Sequence, residues 1–165
     1  MLRQPKKPSE SQAVFTHIVR AEDLNMHGTL FGGKMMAFMD TTAAITAMRH
    51  CGRNCVTAHI SDIGFIAPVR NGHILEIVAR CHFAARTSVE ILVHAYREDH
   101  LTGDRKEVCR AYFTFVAVDQ ENQPVPVPPV QPETDEDVRR AKEAQARYET
   151  RKTRRDSTRR PAVGA

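Results

Sequence analysis

The sequence has 165 residues, 41% of them apolar, which suits one domain with a sizeable core and short tails. Its net charge of +4 is lopsided: residues 133–165 hold 10 Lys and Arg against 7 Asp and Glu, whereas the other 132 hold 14 against 13. A folded nucleic-acid-binding face is therefore not expected, nor membrane insertion, since no run nears ~18 unbroken apolar residues, nor a secretory leader, since Met1–Pro8 enters no apolar segment.

Residues 1–12, rich in Pro, Lys, Ser and Gln, read as a disordered arm. Val14–Arg20 reads as a first strand, followed by the turn-rich stretch Glu22–Thr29. From Lys34 to about His50 the period becomes helical: Met36, Met39, Ala43 and Ala47 fall at offsets of 3, 4 and 4. Phe38, Ile45 and Met48 widen the apolar surface, so this helix is expected to be enclosed on several sides.

The period then drops to two. Leu75, Ile77, Ala79, Cys81 and Phe83 mark one strand face, Val89, Ile91, Val93 and Ala95 a second, and Cys109, Ala111, Phe113, Phe115 and Ala117 a third. An earlier strand from Val56 shifts phase near Asp62–Ile63, which suggests a bulge. Short connections at Ala84–Arg86 and Asp99–Asp104 suit antiparallel hairpins. The order predicts an α+β domain over 13–119, with one curved antiparallel sheet wrapped around one long helix. One sheet leaves its outer positions and edges open, so dimerisation is expected. A Pro-rich strap follows at 120–132, then a charged C-terminal helix and basic tail at 133–165 whose Arg-rich end reads as solvated.

Asp40 is the most informative residue, because a carboxylate emerging from an apolar helical stripe is costly unless paired, bonded or used. Alternatively it caps a shorter helix starting at Thr41. Gly32-Gly33 sit at the helix start, where first-turn amides and the dipole favour negative charge. They suit an oxyanion hole or an ordinary turn. Asp40 lies eight residues past Gly32, roughly 12 Å along the helix at ~1.5 Å per residue. One carbonyl cannot reach both in one chain, so two antiparallel copies of the helix are required and the site should be shared between subunits. Asn25 and His27 lie in the upstream turn, where either could polarise a carbonyl or hold water, or merely stabilise the turn. The histidines show no ligand spacing, so no metal is expected, and Cys51, Cys55, Cys81 and Cys109 read as reduced thiols of a cytoplasmic protein.

The string Asp23-Leu-Asn-Met-His-Gly-Thr-Leu-Phe-Gly-Gly-Lys-Met-Met36, with Met39-Asp40, Val56-Thr57-Ala58, Phe65-Ile-Ala-Pro-Val69, Arg86-Thr87-Ser88 and Phe113–Ala117, resembles the hotdog-fold acyl-CoA thioesterases of the cytosolic and bacterial type over about residues 13–145. The resemblance implies a hotdog fold, hydrolysis of acyl-CoA thioesters of fatty acids, no cofactor beyond the coenzyme A of the substrate, and a homodimer often built into a hexamer as a trimer of dimers. It places Asp40 on the catalytic carboxylate, Asn25 on the water-orienting amide and Gly32 or Gly33 on the oxyanion hole. Thr57, Phe65, Arg86, Thr87 and Ser88 fall where similar enzymes line the pantetheine and nucleotide path, and His27 is grouped with them as substrate-binding. Asp40 acts as general base in this reading, or attacks directly to give a mixed anhydride. A hotdog dehydratase using His27 and Asp40, and a non-catalytic module that senses acyl-CoA, are the alternatives.

Overall fold

The computed structural model describes residues 4–158, with side chains to 154. Five strands, β1 (Ala13–Ile18), β2 (Asn54–Phe65), β3 (Ile74–Ala84), β4 (Ser88–Glu98) and β5 (Arg105–Val118), form one antiparallel sheet in the order β1-β3-β4-β5-β2. The helix α2 (Gly32–Cys51) packs against all five strands, and α3 (Asp135–Thr158) lies against β3. A four-residue helix, α1 (Pro8–Ser11), precedes β1.

The alternating residues expected to face inwards do so, except Phe83: a register shift of β3 on β4 after Cys81 flips the phase, so Phe83 packs on Tyr148 of α3 and Ala84 lies against the core instead. Leu75, Ile77, Ala79 and Cys81 of β3, Val89, Ile91, Val93 and Ala95 of β4, and Cys109, Ala111, Phe113, Phe115 and Ala117 of β5 are all buried. They close on Met35, Met39, Ala43 and Ala47 of α2. The small side chains at Ala43 and Ala47 let the sheet approach the helix, while Phe113 and Phe115 are the largest fully buried side chains. Helix α2 starts two residues before the periodic pattern, because Gly32 and Gly33 form its first turn behind Phe31. It ends where Gly52, at φ 60°, takes the left-handed conformation and donates its amide to the Met48 carbonyl. The helix is not enclosed on every side, since Ile45 and Met48 stay exposed on its outer face.

Asp62 takes φ 52° within the register shift of β2 on β5 between Ser61 and Gly64, the bulge that the phase change predicts. Strand β2 is a sheet edge and is largely exposed along its length.

Two segments differ from expectation. Residues 4–12 are not a loose arm, although residues 1–3 lie outside the described residues. Lys6 bridges to the Pro-rich strap at Val130, Ser9 binds Glu133, and Ser11 is buried with its hydroxyl 3.3 Å from His50 Nδ1. His50 Nε2 reaches the Pro128 carbonyl at 3.1 Å, so arm, helix end and strap form one junction. Its hydrogen bonds are long-range, which is why local composition does not reveal them. The second difference is the sheet's outer face, part of which α3 covers. Glu90, Leu92 and His82 are buried there despite their polar phase. Residues 159–165 of the tail lie outside the described residues.

Candidate active site

The start of α2 is held by Asp23. Its buried carboxylate lies 2.5 Å from Lys34 Nζ and 2.7 Å from His17 Nε2, and accepts the Arg20 amide at 2.8 Å. Lys34 first, then the Arg20 amide and His17, hold that carboxyl far below the usual range, against the upward push of burial. The Asp23 carbonyl accepts the Phe31 amide at 2.9 Å, which ties the incoming loop to the helix. No sequence pattern singles out Asp23, because an Asp in a polar turn is unremarkable until its partners at residues 17 and 34 are brought together.

Asn25 organises the same loop. Its Oδ1 accepts the amides of His27 at 2.9 Å and Thr29 at 3.3 Å, and its Nδ2 donates to Thr29 Oγ1 at 3.0 Å. Gly28 closes the turn at φ 71°, a conformation that favours glycine. His27 is on the exposed tip of this loop, beside Met26, which is 93% exposed.

The amides of Gly32 and Gly33 have no hydrogen-bond partner among the described residues, whereas Lys34 and Met35 already donate to the Phe31 carbonyl. Two donors at the positive end of a 20-residue helix are therefore available to an anion. A Cβ on Gly33 would come within 2.5 Å of the Phe31 ring, so the close approach of that ring requires glycine. Asn25, Gly32 and Phe65 line one cavity of about 380 Å³ with Leu30, Met35 and Val69.

Asp40 is not in that cavity. It is half-buried on the continuous helix, between the fully buried Met39 and Ala43, so the alternative of a cap for a shorter helix does not hold. Thr57 Oγ1 donates to Asp40 Oδ1 at 2.9 Å, just before the first register shift of β2. Among the described residues no cation pairs with Asp40. The carboxylate is thus oriented by that hydrogen bond. Thr57, expected on the substrate path, is the residue that holds it. Arg86, Thr87 and Ser88 come together elsewhere, in a cavity of about 550 Å³ that the sequence reading did not connect with α3.

One chain therefore places a carboxylate and a pair of open amides on the same helix, ~12 Å apart by helical rise. A curved five-stranded sheet around a single long helix, with both groups on that helix, defines the hotdog class. Residues 27–103 match the Thioesterase superfamily. The chain is 38% identical over 145 residues to the uncharacterized acyl-CoA thioester hydrolase YkhA of Bacillus subtilis, which covers 88% of this chain and 84% of that protein. It is 36% identical over 154 residues to the cytosolic acyl coenzyme A thioester hydrolase of Rattus norvegicus, covering 92% of this chain but 40% of that relative. Among solved structures, the acyl-CoA hydrolase of Staphylococcus aureus in complex with butyryl coenzyme A, coenzyme A and coenzyme A disulfide superimposes with a TM-score of 0.86 at 38% identity, covering 93% of each chain. In that enzyme an asparagine, an aspartate 15 positions later and a threonine 17 positions beyond that have each been replaced by alanine, the spacing of Asn25, Asp40 and Thr57 here. An apo-hexameric acyl-CoA thioesterase matches with a TM-score of 0.89 at 38% identity over 92% of this chain and 97% of that one. The chain belongs to the hotdog-fold acyl-CoA thioesterase family. It is a thioester hydrolase by membership, and no helix among its described residues is long and apolar enough to cross a membrane.

Proposed function

We propose that this chain hydrolyses fatty acyl-CoA thioesters in a site completed by a second copy of itself. The observation that carries the reading is the placement of Asp40, held by Thr57 and paired with no cation among the described residues, a helix segment away from the open Gly32 and Gly33 amides. In an antiparallel dimer, Asp40 of one protomer meets the helix start of its partner, together with the Asn25 loop that shares the Gly32 cavity.

The thioester carbonyl oxygen points at the Gly32/Gly33 amides. Asp40 takes a proton from a water that Asn25 also binds, and the water oxygen bonds to the carbonyl carbon. The tetrahedral oxyanion receives the two amide hydrogen bonds. Its collapse breaks the C–S bond, and the thiolate leaves with the proton, giving free acid and coenzyme A. No metal and no further cofactor enter this scheme.

The exposed apolar residues Ile45 and Met48 of α2 and Val56 and Phe65 of β2 suit burial against the partner, and the edge strand β2 gains from being covered. A trimer of dimers in the cytoplasm fits the relatives named hexameric and cytosolic. His27, on an exposed tip, has no neighbour that favours the dehydratase reading. Release of free thiol from acyl-CoAs of short, medium and long chain is the decisive assay. Turnover of at least one length supports the hydrolase. Tight binding of acyl-CoA without turnover would leave the sensing module standing instead.

A further inference from the structure

We infer that Cys51 and Cys55 are a reversible redox pair: a hydroperoxide oxidises them to an intrachain disulfide, which draws the start of β2 towards the end of α2 and slows hydrolysis by displacing Thr57 from Asp40. The bond follows from the placement of the two thiols, and its effect on turnover rests on the hydrolase reading above.

Cys51 is the last residue of α2 and fully buried, whereas Cys55 is the second residue of β2 and half-buried. Gly52 reverses the chain between them at φ 60°, so that β2 starts at Asn54 and runs back beside the helix. The Cys51 side chain hydrogen-bonds that of Cys55. Cys55 Sγ also lies 3.6 Å from the Arg53 carbonyl, which turns it over the connecting loop. The two thiols already meet, as a disulfide requires if the backbone is not to rearrange. Access and thiolate character then select the attacking sulfur. The hydrogen bond from Cys51 lowers the Cys55 pKa, with burial opposing, and the adjoining Gly52, Arg53 and Asn54 are exposed. Cys81 and Cys109 are fully buried, and burial pushes both thiols up, Cys109 to about 11. Cys55 is therefore the attacking sulfur and Cys51 the resolving one.

The Cys55 thiolate attacks the terminal peroxide oxygen and the O–O bond breaks. Cys55 becomes a sulfenic acid, and the other oxygen leaves and takes up a proton, as water from hydrogen peroxide or as an alcohol from an organic hydroperoxide. The Cys51 sulfur then attacks the Cys55 sulfur, the S–O bond breaks, and the hydroxyl leaves as water with the Cys51 proton. The two sulfurs lose two electrons and the two peroxide oxygens gain them. A dithiol restores both thiols by exchange and is itself oxidised to a disulfide. The link to turnover is mechanical. A covalent S–S bond holds its sulfurs closer than a hydrogen bond does, so Cys55 moves towards the helix end. Thr57 lies two residues further along β2 and donates to Asp40 Oδ1 at 2.9 Å. Within one chain β2 is held on its β5 side alone, and its register shifts directly after Thr57, so this segment yields when Cys55 is pulled.

The test treats the full-length native oligomer with hydrogen peroxide, removes the excess, blocks free thiols and digests with trypsin without reductant. Cleavage after Arg53 separates the peptides His50–Arg53 and Asn54–Arg70, so only a Cys51–Cys55 bond joins them in a chain of single-chain mass. Turnover is followed by loss of thioester absorbance, with which a reductant does not interfere. Oxidised wild type should yield the joined peptides and lose about 10-fold in kcat with KM within about twofold, and dithiothreitol should reverse both changes. Cys55→Ser should form no joined peptides and keep its kcat through the peroxide treatment. Cys51→Ala lacks the resolving thiol and should stop at a Cys55 sulfenic acid, which dimedone traps. Native wild type without the joined peptides, or with them and an unchanged kcat, would overturn the inference. A reduced wild type that hydrolyses no acyl-CoA would refute the hydrolase reading, and the joined peptides would then still decide the redox pair.

Discussion

Replacing Asp40 by Asn exchanges one carboxylate oxygen for an amide nitrogen at almost constant volume. Thr57 donates to Oδ1 at 2.9 Å, and an amide oxygen accepts the same bond, so the side chain keeps its place. No cation among the described residues pairs with Asp40, so losing the charge leaves no partner stranded, and stability should change by less than ~1 kcal/mol. What disappears is the proton acceptor. A positioned general base is worth roughly 10²–10⁴ in rate, or about 3–5 kcal/mol of barrier. Asp40→Asn should therefore lose at least ~100-fold in kcat while retaining coenzyme A affinity. Thr57→Val keeps the carboxylate but removes its charge-assisted hydrogen bond, worth ~1.5–3 kcal/mol, and should cost about 10–100-fold. Free-thiol release gives kcat and KM, with the melting temperature and coenzyme A titration as controls. An Asp40→Asn enzyme that folds normally and keeps more than ~10% of wild-type kcat would refute the base assignment.

Gly33→Ala puts a methyl group where the Phe31 ring now lies, and that exposed ring can swing aside. Thermal stability should hold, with a helix-propensity gain of up to ~1 kcal/mol, while kcat falls at least ~10-fold because the displaced ring crowds the open amides. Unaltered kinetics would place the oxyanion donors elsewhere. Acid should destabilise the protein in two stages. Burial first, then the positive charges of Arg140 and Arg80, push the His82 pKa down to about 4, with Asp137 opposing. Between about pH 6.5 and pH 4 the unfolded chain takes up a proton that the folded one refuses, so up to about 3 kcal/mol is lost across that window. Below it, Asp23 and Glu107 add a second loss: both pKa values are depressed in the fold, Glu107 to about 2 by Arg110 and His94, so their contribution is present above pH ~4 and fades as pH falls further. Urea midpoints at pH 7 and pH 4.5 should differ less in His82→Gln than in wild type, and equal differences would exclude His82 as the source.

Periodicity carries most of the fold. Period two in residues 75–81, 89–95 and 109–117 sets the inner face of three strands, and the run from Met36 to Ala47 sets the helix that they enclose. Both signals are local, so they can be read from one sequence. The junction of Ser11, His50 and Pro128 is not local. Neither is the burial of Glu90 by two arginines 57 and 61 residues further on, so an arm and a tail look solvated until the chain is folded. The site divides along the same line. Asp40 stands out because a carboxylate interrupts an apolar stripe, and Gly32-Gly33 because it precedes a helix. Asp23 and the α3 residues beside Arg86 stand out only in three dimensions, since each depends on partners from a distant element.

The shared site is tested most directly by mixing two inactive proteins. Asp40→Asn and Asn25→Ala chains, each shown to fold and bind coenzyme A, are combined in equal amounts under conditions of demonstrated subunit exchange. If Asp40 of one protomer works beside the helix start and Asn25 loop of its mate, half of the dimers are mixed and each holds one intact site, restoring about one quarter of wild-type turnover. If both groups act within a single chain, every site keeps a lesion and the mixture stays as inactive as its components.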